Sequence, residues 1–195
     1  MQVPLLRING NTNYGIGRIV NTMTNPEVVS AFLRAYQNSN YVEMQTYLHA
    51  GVEFSDLAFE AICGDDVRAM WHWFCVSTES RAEPVRVPRF HVDKAEDDWV
   101  DAWYEVDYRL GDGQARTRRV NYVIRTHMAL QNGKIIRQVD TPTISNLRFA
   151  LMAVGFPKCL AALTPFFKPK LRQQMSEKLA AFRSAYETKA VERSA

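Results

Sequence analysis

Residues 103–133 read WYEVDYRLGDGQARTRRVNYVIRTHMALQNG, and this stretch decides the fold. Tyr104, Val106, Tyr108 and Leu110 alternate with Trp103, Glu105, Asp107 and Arg109. Val120, Tyr122, Ile124, Thr126, Met128 and Leu130 alternate with a second set that includes Asn121, Arg125 and His127. Successive side chains of a strand point to opposite faces, so two strands are predicted, each with an apolar face and a wet face. Gly111-Asp112-Gly113 and Gln131-Asn132-Gly133 supply the residues that tight hairpin turns require. The period of two runs from Pro84 to Thr141, which predicts an antiparallel meander.

Upstream the period is helical. Asn25, Pro26 and Glu27 form a helix start, with Asn as N-cap, Pro at the first helical position and an acid in the first turn. Val29, Phe32, Leu33 and Tyr36 then recur on one helical face until Asn38-Ser39-Asn40 breaks it. A shorter helix is predicted from Tyr41 to His49, and a short strand over residues 51–56. Gly64-Asp65-Asp66 opens a third helix, in which Val67, Met70, Trp71 and Phe74 share a face. Helices first and an antiparallel meander second is the order of an α+β domain, because a parallel sheet would need strands and helices to alternate.

Downstream of the meander, Thr143 is the expected N-cap of a helix running to Val154 and closed by Gly155. Residues 156–167 are apolar but interrupted by Pro157 and Pro165, and a last helix carries Leu171, Met175, Leu179, Phe182 and Tyr186 on one face. The expected organisation is an N-terminal arm (1–24), a core domain (25–155) and a C-terminal helical extension (156–195). The extension fits packing on the domain or on a dimer partner. It also fits a peripheral membrane contact or a substrate-entry element, with Lys168, Lys170 and Arg172 near lipid headgroups.

Composition narrows the function classes. The 47% apolar and 23% charged content is that of an ordinary globular chain, and no run reaches the roughly 18 uncharged apolar residues of a membrane span. The first residues lack the pattern of a secretory leader, so a cytoplasmic location is expected. Cys63, Cys75 and Cys159 are odd in number and far apart, which points to free thiols. The net charge of +3 arises at the C-terminus, where residues 168–195 hold seven Lys or Arg against three Glu. Arg116, Arg118, Arg119 and Arg125 read as a solvated strand face, so no nucleic-acid partner is expected. His49, His72, His91 and His127 have no metal-ligand spacing, and Gly15-Ile16-Gly17 lacks the third glycine and the βαβ setting of a dinucleotide loop. No metal or cofactor is expected.

The two predicted helices, the strand ending Phe54-Ser55-Asp56, Gly64, and the helix with Arg68-Ala69-Met70-Trp71 resemble the SnoaL-like and ketosteroid isomerase-like members of the nuclear transport factor 2-like superfamily over residues 25–155. A narrower resemblance, to an uncharacterised bacterial subgroup, rests on Asp56-Leu57, on the strand Gly133 to Asp140, on Met152-Ala153-Val154-Gly155 and on Thr164-Pro165. The resemblance implies helices packed on a curved antiparallel sheet forming a cone with an interior pocket. It also implies a homodimer paired through the outer sheet face. Departures qualify the chemistry: Gln138 stands where the subgroup has His, and Thr143 where it often has Asp. Asp56 matches the isomerase general base, but Phe32 and Thr126 fall where the oxyanion-hole Tyr and Asp would lie.

In such a cone a carboxylate loses hydration, its pKa rises toward neutrality, and it becomes a usable general base. Asp56 and Asp140 are the candidates. Period two places Gln138 and Asp140 on one face, which looks into the pocket if it is the face of Tyr122 and Met128. Both carboxylates also have a structural reading, Asp56 capping the next turn and Asp140 capping or salt-bridging near the following helix. Tyr104, Tyr108 and Tyr122 either donate to an oxyanion or simply pack, and Phe32, Tyr36, Met70, Trp71 and Phe74 either line the pocket or fill the core. The expected function is binding of a hydrophobic, carbonyl-bearing small molecule, with isomerase, cyclase or hydratase activity that uses a pocket Asp as acid/base. The alternative is a noncatalytic ligand-binding or protein- or membrane-interaction module.

Overall fold

The computed structural model describes residues 23–77, 83–111 and 117–192. Most of the predicted arm, the turn at Asp112-Gly113 and Arg116 lie outside the described residues. Helices α1 (Asn25–Gln37), α2 (Tyr41–Tyr47) and α3 (Asp65–Cys75) are joined by strands β1 (Leu48–Ser55) and β2 (Ile62–Cys63). The meander follows as β3 (Phe90–Glu96), β4 (Trp99–Gly111), β5 (Thr117–Gln131) and β6 (Lys134–Pro142). The chain then forms α4 (Asn146–Val154), a 3₁₀ helix (Lys158–Leu163) and α5 (Phe167–Glu192). No helix among the described residues is long and apolar enough to cross a membrane.

One six-stranded sheet has the order β2-β1-β6-β5-β4-β3. The meander is antiparallel as expected, with Asn132 (φ 51°) and Gly133 (φ 70°) in the left-handed conformations of a primed hairpin turn. The sheet as a whole is mixed and open, which corrects the expectation of a purely antiparallel one: β1 runs parallel to β6, pairing Phe54 with Gln138. The physical reason is connectivity. The pair is joined by a long crossover through α3 and the other strands, so no hairpin constrains β1 to run the opposite way. Register shifts at Leu48/Glu53, Val92/Lys94 and Ala129/Leu130 bend the strands, and bulges of this kind curve a sheet around what it covers.

Three predicted helix boundaries move, each for a local reason. The N-cap of α1 is Thr24, because the Glu27 carboxylate accepts the Thr24 backbone N–H at 2.7 Å in a capping box; Pro26 is then second in the helix. Helix α2 ends at Tyr47 because Leu48 turns extended (φ −90°, ψ 137°) and pairs with Ile135. The cap of α4 is Ser145, whose Oγ accepts the Arg148 N–H at 3.2 Å. Thr143 instead donates its hydroxyl and its N–H to the Val123 carbonyl, both at 2.9 Å, and so belongs to the sheet end.

The core lies between α1, α3 and the inner face of the sheet. Val100, Ala102, Tyr104 and Val106 of β4, with Val120, Thr126, Met128 and Leu130 of β5, are buried, whereas Asp101, Arg125 and His127 on the other parity are exposed. Trp71 is the hub of the helical side, meeting Phe32, Tyr36 and Phe54 edge-on at 5.4, 5.0 and 5.6 Å. Full burial of each such apolar side chain stabilises the fold by about 1.5–3 kcal/mol. On the outer face Arg119 forks onto Asp107 (2.9 and 2.7 Å) and Arg89 meets Glu105 at 3.0 Å, as a solvated strand face would. Helix α5 packs along α3: Leu179 is buried, Phe182 and Tyr186 meet His72 edge-on, and Arg183 bonds Asp66 at 2.6 Å.

Candidate functional site

Three meander strands carry a polar centre on the buried inner face of the sheet. Inner-face parity and the β5–β6 register place Thr126 opposite Asp140 and Met128 opposite Gln138. Asp140 is 5% exposed, yet it forms neither of the surface bonds that a structural reading assigned to it. The Tyr104 hydroxyl donates to its Oδ2, and the Gln138 amide donates to its Oδ1 at 2.9 Å. Loss of hydration pushes the Asp140 pKa up to about 6, while Thr126, Tyr104 and Gln138 draw it back down. The Thr126 hydroxyl therefore lies near the carboxylate, but it has no partner at hydrogen-bond geometry among the described residues. Gln138 Oε1 and Trp71 Nε1 are likewise buried and unpartnered there. Buried polar atoms are nearly always paired, so Thr126 Oγ1 and Gln138 Oε1, both beside the Asp140 carboxylate, are exceptions that call for a partner.

Asp56 follows β1 and is less enclosed. Its Oδ1 accepts the backbone N–H groups of Ala58 (2.7 Å) and Phe59 (2.6 Å), so the turn-capping role is real for that oxygen. The other oxygen, Oδ2, accepts no hydrogen bond among the described residues. Desolvation outweighs the two backbone donors and, with the Asp140 charge adding to it, raises the Asp56 pKa to about 7. The two carboxylates thus share one electrostatic site, although 84 positions separate them in the chain.

Tyr122 belongs to the same neighbourhood. Burial holds its phenol well above its usual pKa, with Tyr108 and Asp56 both within interaction range, and its ring meets Phe149 of α4 edge-on at 5.8 Å. Tyr104 is buried and also kept protonated, chiefly by desolvation and by Asp140. Phe32, Tyr36, Trp71 and Met128 are at most 2% exposed and form the apolar surround. Tyr36 links Trp71 (5.0 Å) to Tyr104 (5.9 Å). Phe74 sits at the edge of this group, 6.0 Å from Trp71 and stacked on Trp73 at 5.8 Å.

The structure adds a group that reading along the chain assigned elsewhere. Arg172 of α5 pairs with Glu60 and lowers the Asp56 pKa from nearby, so it faces the turn after β1 and not a lipid headgroup. No local pattern signals this, because the contact depends on how α5 docks. A separate cleft of about 610 Å³ lies on the outer sheet face among Trp99, Asp101, Arg125, His127 and Arg137, where His127 stacks on Trp99 at 4.1 Å. It includes none of Asp56, Gln138 and Asp140. No three His, Cys, Asp or Glu side chains converge as metal ligands among the described residues.

No family model matches the chain, and no curated protein matches it in sequence. Solved structures do. A protein of unknown function with a cystatin-like fold from Xanthomonas campestris aligns with a TM-score of 0.56 at 15% identity, covering 67% of this chain and 99% of that one. A candidate polyketide cyclase from Silicibacter sp. aligns with a TM-score of 0.51 at 16% identity, over 62% of this chain and 90% of that one. A candidate isomerase from Rhodopseudomonas palustris gives 0.50 at 16% identity, over 69% and 98%. With its helices on a curved six-stranded mixed sheet and its polar groups on the inner face, the chain has the SnoaL-like, nuclear transport factor 2-like fold.

Proposed function

We propose that this protein binds a hydrophobic, carbonyl-bearing small molecule inside the cone and that Asp56 is the acid/base of a cofactor-independent isomerisation, cyclisation or hydration. One observation carries the reading: a carboxylate with a pKa of about 7 stands beside a buried Asp140–Tyr104–Gln138 network whose neighbouring polar atoms lack partners. A base is most effective when its pKa lies near the working pH. Asp56 Oδ2 removes a proton from the carbon next to the substrate carbonyl, and the electron pair moves onto the carbonyl oxygen. Tyr122, which stays a phenol, donates to that oxygen, and Gln138 and Thr126 orient the substrate. Returning the proton to another carbon completes an isomerisation; attack of the enolate carbon on a second carbonyl, with the proton held by Asp56 passing to the alkoxide that forms, completes a cyclisation. The candidate cyclase and isomerase among the fold's neighbours are consistent with this class.

One feature favours a second reading, a noncatalytic binding module. Both Asp140 oxygens are occupied by Gln138 and Tyr104, and one Asp56 oxygen is committed to its turn. The experiment that separates the readings is α-proton exchange of 1-tetralone in D2O, followed by proton NMR. Exchange above the buffer rate that disappears in Asp56→Asn supports catalysis. Binding without exchange, or exchange unchanged in Asp56→Asn and Asp140→Asn, overturns it.

A further inference from the structure

Seven of the ten large apolar side chains that are exposed among the described residues fall between positions 147 and 166. Leu147, Leu151 and Val154 stand at i, i+4 and i+7 on one edge of α4, whose other side packs on β5 through Phe149 and Tyr122. Past the helix, Phe156 and Phe166 are each 75% exposed and Leu163 is 67% exposed. A soluble monomer rarely leaves so many large apolar groups uncovered in one region.

Charge identifies what covers them. From Thr141 to Ser176 the chain carries Arg148, Lys158, Lys168, Lys170 and Arg172 and not one Asp or Glu. The first four are exposed, whereas Arg172 is paired with Glu60. A symmetric contact between two copies would set this patch against itself and bring cations together. Exposed aromatic and aliphatic groups in a segment with four exposed cations and no Asp or Glu of its own match the acyl boundary and headgroups of an anionic bilayer.

We propose that α4, the 3₁₀ helix and the start of α5 dock on the surface of an anionic phospholipid membrane, with Phe156, Leu163 and Phe166 inserted at the acyl boundary and Lys158, Lys168 and Lys170 among the phosphates. Docking is independent of any chemistry at Asp56. The test is co-sedimentation of the full chain with vesicles of phosphatidylcholine alone and of phosphatidylcholine mixed with phosphatidylglycerol. The expected result is partition onto the mixed vesicles that is lost when salt shortens the Debye length to about 3 Å. Lys168→Glu/Lys170→Glu, which changes only exposed side chains, lowers partition by at least about thirtyfold. Phe156→Ser/Leu163→Ser/Phe166→Ser abolishes it while the circular dichroism spectrum is unchanged. Failure of the wild type to sediment with mixed vesicles overturns the proposal, as does equal partition of the lysine variant. So does a dimer by light scattering that the triple variant dissociates, if the wild type does not bind vesicles.

Discussion

Replacing Asp140 by asparagine stabilises the protein at alkaline pH. Asp140 carries a folded-state pKa of about 6 against 3.8 for the free side chain. A raised carboxyl pKa means that the fold binds its proton more tightly than the unfolded chain does, so Asp140 contributes stability below about pH 4 that is lost as pH rises to about 6. The shift of about two units corresponds to about 3 kcal/mol of cost for holding the charge in the core above that window. The substitution removes the charge and keeps the shape. Gln138 Oε1 has no partner among the described residues, so turning its amide lets it accept from the new side-chain nitrogen, while the remaining oxygen still accepts from Tyr104. Urea unfolding at about pH 8 is expected to show the variant about 3 kcal/mol more stable, a midpoint gain of about 6–12 °C on heating, with the difference vanishing near pH 4. A variant that is less stable at pH 8, or a difference that does not change with pH, refutes the reasoning.

Tyr104→Phe leaves one oxygen of a buried carboxylate without its donor and costs about 1–3 kcal/mol at alkaline pH, measured by the same unfolding curves. Little loss at pH 8 would mean that the bond to Asp140 is not made in solution. Leu179→Ala removes the side chain by which α5 enters the core and costs about 2–5 kcal/mol, whereas a cost below about 1 kcal/mol would show α5 undocked. Arg172→Gln removes a cation that holds Asp56 down, so the Asp56 pKa rises above about 7, read by carboxyl carbon NMR. A value that stays or falls contradicts the placement of Arg172.

Much of the fold is legible in local pattern. The alternation from Val120 to Leu130 told the inner from the outer face, and the recurrence of Val29, Phe32, Leu33 and Tyr36 gave the buried side of α1, because both follow from backbone geometry alone. The cap of α1 lies one residue before the expected Asn25, because Thr24 with Glu27 three residues on is the stronger signal. What sequence did not reveal is long-range. The parallel pairing of Phe54 with Gln138, the bond from Tyr104 to Asp140 and the approach of Arg172 to Asp56 depend on strand register and helix docking. Thr126 is the instructive residue: compared with the isomerase pattern it was a missing acid, yet the ladder places it opposite Asp140, an acid on the neighbouring strand.

Asp56 and Asp140 share one desolvated site. Carboxyl titration of aspartate-labelled protein by carbon NMR tests that directly. The expected result is that Asp56 titrates at about 7 and Asp140 at about 6 in the wild type, and that Asp56 titrates lower once Asp140→Asn removes the neighbouring charge. Titration of both groups near 3.8, or an Asp56 curve that does not respond to the substitution, would contradict it.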